Sequence, residues 1–531
     1  MSMKEFDYIV IGGGSAGSVI AGRLTENAST TVALLEAGGK GDSWVVKTPV
    51  GAVAMLPTKI NNYAYETVPQ PGLNGRRGYQ PRGKCLGGSS AINAMVYIRG
   101  HRIDYDHWAE LGNVGWSYND MLPYFIKSEN NSVIKDSYHG NAGPLHVQNL
   151  QSNNPFQQIY LNAAKEAGFP INTDFNGAEQ EGVGIYQVTH NNGERWSAAR
   201  AYLHPHMGKR SNLDVQTDVQ VERILFEGKR AVGISFTQGG VKQELRARKE
   251  VILSAGAFNS PQLLMVSGVG PAAELQKLGI PLVHDLPGVG QNLQDHPDFI
   301  FGFEAKSLDL IGISLSGSVK MTGEIIKYIN SRTGTIATNF AEGGAFLKTD
   351  PSLPAPDVQL HFVISMVEDH ARKLHMAHGY SCHVCLLRPK SRGQVTLASA
   401  NMSDAPLIDV GFLKEDEDLE TLVKGYKLTK KLLDAPSLAN VRQKDVITAD
   451  VHTDDDIRHI LRQRSDTVYH PVGTCKMGSD AMAVVDAQLK VHGISGLRVV
   501  DGSIMPTLIG GNTNAPIIAI AEKAVDLIRA A

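Results

Sequence analysis

At 531 residues the chain is long enough for roughly two to four domains and can bury a large core without staples. Hydrophobic residues make up 42%, charged residues 20%, and the formal net charge is -3, so no basic field exists to hold nucleic acid. Only four cysteines occur and no charged-then-apolar leader precedes the first strand signal, so the cytoplasm is the expected location; no apolar run nears the roughly 18 residues of a spanning helix, leaving peripheral contact with the inner membrane as the alternative.

The first predicted elements are a strand at residues 6–11, a glycine-rich turn, a helix at 15–25 and a strand at 31–35, together one βαβ unit. The turn, Gly12-Gly13-Gly14-Ser15-Ala16-Gly17, fits G-x-G-x-x-G. Gly12 permits the tight bend, Gly14 lets backbone approach a pyrophosphate, and Gly17 allows the helix to pack closely. Ser15 and Ala16 open the helix, whose free N–H groups suit phosphate. Glu36 and Ala37 close the second strand at about the 20-residue offset where a carboxylate accepts ribose hydroxyls. FAD and NAD share this fingerprint, so the unit alone does not choose between them.

Further along, antiparallel strands are expected over 213–226 and 231–245, then a strand at 250–255, a short strand at 497–501 and a closing helix at 515–529. Residues 143–195 are rich in Asn, Gln and Gly, and 301–465 carry long β-like runs at 357–364 and 380–387, which together read as a second domain inserted into the first. Residues 314–331 have a helical period with a basic rim, Lys320 and Lys327, and read as a surface helix, with a lid or membrane-contact element as the alternative.

The stretch from Pro81, PRGKCLGGSSAINAMVYIRG, supplies paired glycines and serines for a second close approach to the cofactor. With GAFNSPQLLMVSGVG, GVGQNLQDHP, YHPVGTCKMG and GGNTNAP following in order, the sequence resembles the glucose–methanol–choline (GMC) oxidoreductase family, nearest its bacterial choline dehydrogenase and aliphatic alcohol dehydrogenase branch.

The resemblance implies an α/β fold: a Rossmann-like FAD-binding domain from residues 1–155, 212–300 and 466–531, and an inserted α+β substrate domain from 156–211 and 301–465. It implies FAD with its adenosine near the first turn and Glu36, Val221 near adenine, and Gly87, Gly88, Asn93, Ala94 and Val96 near pyrophosphate and flavin. Asp501 and Gly502 would sit near the ribityl chain, with Asn512 among the cofactor contacts. Some choline-oxidising relatives attach FAD through a histidine one place before Asn93. Ile92 stands there, so non-covalent FAD is expected.

An alcohol oxidised by hydride transfer must also lose a proton, which calls for a base near neutral pKa. In the family pattern His470 takes that role facing flavin N5, and Asn514 matches the position of a second histidine or asparagine, whose amide would donate to the alcohol oxygen. The expected reaction is a primary alcohol to an aldehyde, with electrons passed to a quinone or another non-NAD carrier; choline oxidation and an O2-using oxidase are the alternatives. All four tryptophans, Trp44, Trp108, Trp116 and Trp196, lie outside 301–465, which tilts the expectation away from a quaternary ammonium. Lyase or light-driven decarboxylase activity, known in the family, and a non-enzymatic flavoprotein are the rival classes. Cys382-x-x-Cys385 has metal-like spacing, but a strand would put the two thiols on opposite faces, so no metal is expected. Glu342 reads as a structural hydrogen-bonding carboxylate.

Overall fold

The computed structural model describes residues 4–373 and 375–531. Two seven-stranded sheets carry the architecture, one mixed and one antiparallel.

In the first sheet, Lys4–Ile11, helix α1 (Ser15–Leu24) and Val32–Leu35 form the βαβ unit with parallel pairing. Leu213–Gln216 joins beyond Val32–Leu35, and Val241–Leu253 and Leu497–Val499 extend the parallel set on the other side. Strands covered on both faces need apolar residues throughout, which is why Ile9, Val10 and Val32 to Leu35 are buried without alternation. Three separated pieces of chain therefore build one sheet. The expected breaks at 245 and 250 are absent. Gly239 and Gly240, both at positive φ, turn a hairpin between Arg230–Gln238 and Val241–Leu253. No glycine or proline interrupts the second strand, so its first half pairs antiparallel with Arg230–Gln238 while its second half lies parallel to Lys4–Ile11.

The second sheet runs Arg442–Asp445, Pro297–Ala305, Gly379–Leu386, Val358–Val363, Ala341–Leu347, Gly182–Ile185. Asp466–Thr467 also pairs with Pro297–Ala305, which starts before residue 300, and Ala198–Tyr202 packs on α1. The passage between the two sheets thus falls a few residues away from each compositional change. Helix Asp416–Leu433 covers one face, where Val358, Leu360 and Phe362 enter its apolar cluster. The alternate residues His361 and Val363 turn the other way, toward a cavity. Cys382 and Cys385 are free, buried, and belong to different clusters on opposite sides of their strand.

Helix α2 (Leu315–Ser331) begins at a Ser314 cap and lies on the surface. Its buried side is small, Gly317 and Tyr328. Helix α3 (Asn514–Arg529) packs along α1, so both N-termini come to the same place.

Candidate active site

One continuous cavity of about 480 Å³ reaches from Glu36 to His470. All of the residues singled out above for cofactor or alcohol line it except Gly17 and Gly87, which shape its wall from behind.

At the glycine end the backbone does the work. Gly12 sits at φ 94°, and a methyl group on Gly17 would strike the Gly12 carbonyl oxygen. Gly88 approaches so closely that a Cβ there would lie 2.7 Å from the Gly14 Cα. Neither α1 nor α3 has a side-chain N-cap. Their unpaired N–H groups and dipoles converge beside the cavity, where an anion is the fitting partner. Buried Glu36 accepts from the backbone N–H of Gly13 and Gly38, each at 2.8 Å, yet burial outweighs these bonds and pushes its pKa up to about 7. Its spare lone pairs suit ribose hydroxyls. Ala37 and Val221 complete this end. Uncapped donors, a glycine cradle and a buried carboxylate together fit FAD.

Midway, Asn93, Ala94 and Val96 follow the second glycine loop, with buried Ile92 where a covalent attachment would need histidine. Sequence reading missed Arg195. Its buried guanidinium donates to the carbonyls of Val46, Ser90 and Asn93 and to Asn93 Oδ1, stitching the loop together. No motif marks it. Asp501 accepts from the N–H groups of Gly256 and Ser503 and from the Ser260 hydroxyl, so it orders the turn at Gly502.

At the far end His470 follows the short strand Asp466–Thr467, pinned by its own N–H donating to Asp295 Oδ1 at 2.8 Å. The residue brought to its ring is Asn512, with Nδ2 3.2 Å from His470 Nε2. Asn514 is not. It opens α3, and its Oδ1 accepts from the Ser15 hydroxyl at 2.7 Å, which ties it to the start of α1. The structure therefore brings Asn512, not the expected Asn514, to the histidine, and Asn514 joins the two helix N-termini. The ring of His470 is buried; burial first, then the nearby His296, His361 and Arg82, holds its pKa well below the usual histidine value. Arg82, also missed in the sequence, lines the wall and donates to the Tyr469 carbonyl at 2.8 Å.

Around this end the wall mixes apolar Ile311, Ile313, Phe340, Val363 and Val468 with His361, His370, His375, His383 and Lys373. Among the described residues, the carboxylates lining the cavity are Glu36 and Asp501, both at the cofactor end, and no tryptophan lines it. Asp298 stands behind His383, whose Nδ1 it meets at 2.6 Å. Glu342 is buried and accepts from Thr338 and Gln157.

Family models described as GMC oxidoreductase match residues 6–298 and 389–521. The chain is 46% identical over 527 residues to an alcohol dehydrogenase [acceptor] of Pseudomonas putida, covering 98% of this chain and 95% of that protein. It is 44% identical to the mitochondrial choline dehydrogenase of Homo sapiens, covering 99% and 90%. A variant formate oxidase of Aspergillus oryzae, solved to follow its FAD modification, superposes with a TM-score of 0.92 at 27% identity over 100% of this chain and 99% of its own.

Proposed function

The chain belongs to the GMC oxidoreductase family and is an FAD-dependent oxidoreductase, and from that premise we propose that it oxidises an uncharged primary alcohol to the aldehyde, with His470 as the base and Asn512 as the donor to the alcohol oxygen. The observation that carries this reading is the 3.2 Å contact between Asn512 Nδ2 and His470 Nε2 on the cavity wall. A hydroxyl entering between them can donate to Nε2 and accept from the amide at once, which aligns its proton with the base. Bound FAD supplies the hydride acceptor. Asn512 then opposes the negative charge that gathers on oxygen as the proton leaves, and the depressed basicity of His470 keeps the ring neutral and ready.

The lack of a carboxylate or a tryptophan at this end argues for a neutral alcohol over choline. An anaerobic panel scored by flavin bleaching tests it: medium-chain primary alcohols should bleach the flavin, and choline should do so far more slowly. Fast bleaching by choline alone would overturn the substrate assignment. FAD is held without a covalent bond in this reading, because Ile92 offers no nucleophile; acid precipitation should release the yellow chromophore.

For the acceptor, a membrane quinone fits the surface beside the cavity. Leu315, Val319, Ile326 and Ile329 share one face of α2 and are 87%, 70%, 56% and 65% exposed. Just ahead of that helix, exposed Ile313 also lines the cavity. No helix among the described residues is long and apolar enough to cross a membrane. Peripheral binding is therefore the form of contact proposed, and Leu315→Glu with Ile329→Glu should abolish sedimentation with lipid vesicles while leaving flavin reduction by alcohol intact.

A further inference from the structure

In the motif QDHP, residues 294–297, Asp295 anchors the His470 backbone, while the histidine has no role above and yet touches the proposed base. His296 is fully buried, with Nδ1 2.9 Å from His470 Nδ1 and Nε2 3.0 Å from the Leu387 carbonyl. A carbonyl only accepts, so Nε2 of His296 carries the hydrogen. Burial drives its pKa down to about 3, leaving the ring neutral and Nδ1 a bare lone pair. His470 must then donate through its own Nδ1–H. Its Nε2 is left with the lone pair that faces the cavity.

A second chain of bonds reaches the same atom from the opposite side. The Tyr186 hydroxyl donates to the Leu360 carbonyl at 2.6 Å and accepts from Gln359 Nε2 at 3.0 Å. The same Gln359 nitrogen donates to Asn512 Oδ1 at 2.9 Å, which turns Asn512 Nδ2 toward His470. Reversing both amides would require a hydrogen on His470 Nε2. Two lone pairs would then face each other across the 2.9 Å between the imidazoles. Only one arrangement satisfies both chains.

Resting on the reading of His470 as base, we propose that His296, together with the Gln359–Tyr186 pair, positions the reaction: it holds His470 as the Nδ1–H tautomer with Nε2 bare, and Asn512 with its amide nitrogen toward the alcohol. Leu387 and Leu360, whose carbonyls anchor the two chains, lie just past the end of one strand of the second sheet and within its neighbour. Backbone of the second sheet and its border thus dictates which nitrogen of His470 is basic. None of these three side chains need touch the alcohol.

The test is anaerobic stopped-flow flavin reduction by the FAD-loaded enzyme. Replacing His296 with Leu removes the acceptor for Nδ1–H and should slow reduction at least about tenfold, since a mis-set tautomer forfeits part of general-base catalysis. The alcohol concentration giving half the maximal rate should stay within about threefold, because substrate binding is untouched. His296→Asn, whose amide oxygen can stand near the lost Nδ1, should recover most of the rate. A His296→Leu enzyme that reduces as fast as the parent overturns the proposal, as does an equal loss in the Leu and Asn variants. Should the Leu variant fail to retain FAD, Tyr186→Phe decides: deletion of one oxygen should cost a severalfold loss of rate, and an unchanged rate overturns the proposal. His470→Ala separates the two claims. If it reduces normally, the base assignment itself fails; if it is slow while His296→Leu is not, only the positioning role fails.

Discussion

The two ends of the cavity are made by opposite means. At the glycine end, Gly12, Gly14, Ser15 and Glu36 fall within one stretch of 25 consecutive residues, 12–36, and their task is done by backbone and by one carboxylate. At the histidine end, Tyr186, His296, Gln359, His470 and Asn512 come from five distant places and work through side chains. A short motif suffices where the ligand is recognised by peptide N–H groups. Orienting a proton needs partners that only tertiary structure brings together.

Substitutions should separate the ends cleanly, and the largest effect belongs to His470. Its replacement by Ala should slow flavin reduction by at least about 100-fold, the usual share of a general base, with FAD content unchanged. In the parent enzyme, the rate should be flat through the ordinary histidine range near about pH 6.5 and fall only at lower pH, because the depressed pKa keeps His470 neutral there. A midpoint near that ordinary value would show the ring to be solvated.

The asparagines give the sharpest contrast. Asn512→Ala should lower reduction by about 100-fold, as loss of an oxyanion donor does, while Asn514→Ala should leave it within about threefold and weaken FAD instead. The reverse result would return Asn514 to the alcohol. Glu36→Gln should weaken FAD about tenfold, the loss of one charge-assisted hydrogen bond, and leave the FAD-saturated rate alone; equilibrium titration of the apoprotein reads this directly.

The smallest effect serves as a control at neither end. His139 bridges Glu129 and Asp174 at 3.1 Å each; burial lowers its pKa, but those hydrogen bonds outweigh it and lift it to about 9. A raised histidine pKa adds stability that is complete below its unfolded value of about 6.5 and disappears as pH climbs through the folded one. The melting temperature should therefore fall between about pH 6.5 and 9, and His139→Gln should flatten that decline without altering flavin reduction.

The same contrast explains what was legible in the sequence. The first βαβ unit, the carboxylate at Glu36 and the closing helix follow from glycine spacing and apolar period, and they recur in the structure within a residue or two at most boundaries. The long strand Val241–Leu253 was obscured because two pairing partners, one antiparallel and one parallel, share a single uninterrupted run. Asn512 and Asn514 are two residues apart in identical local chemistry. Pro516 was the available signal: a proline in the first turn marks where the helix opens and puts Asn514 inside it, leaving Asn512 free in the preceding loop. Arg195 and His296 carried no comparable mark, since a buried arginine and a histidine before proline acquire meaning only from the carbonyls they meet.

Asn512 arrives on the loop that leads into α3, which packs against the cofactor-side helix α1, whereas His296, Gln359 and Tyr186 belong to the substrate-side sheet and its borders. The side chains proposed to handle the alcohol are thus held by partners from both sheets and their borders. Distorting the second sheet should therefore silence the proposed proton transfer even where the glycine end of the cavity is intact.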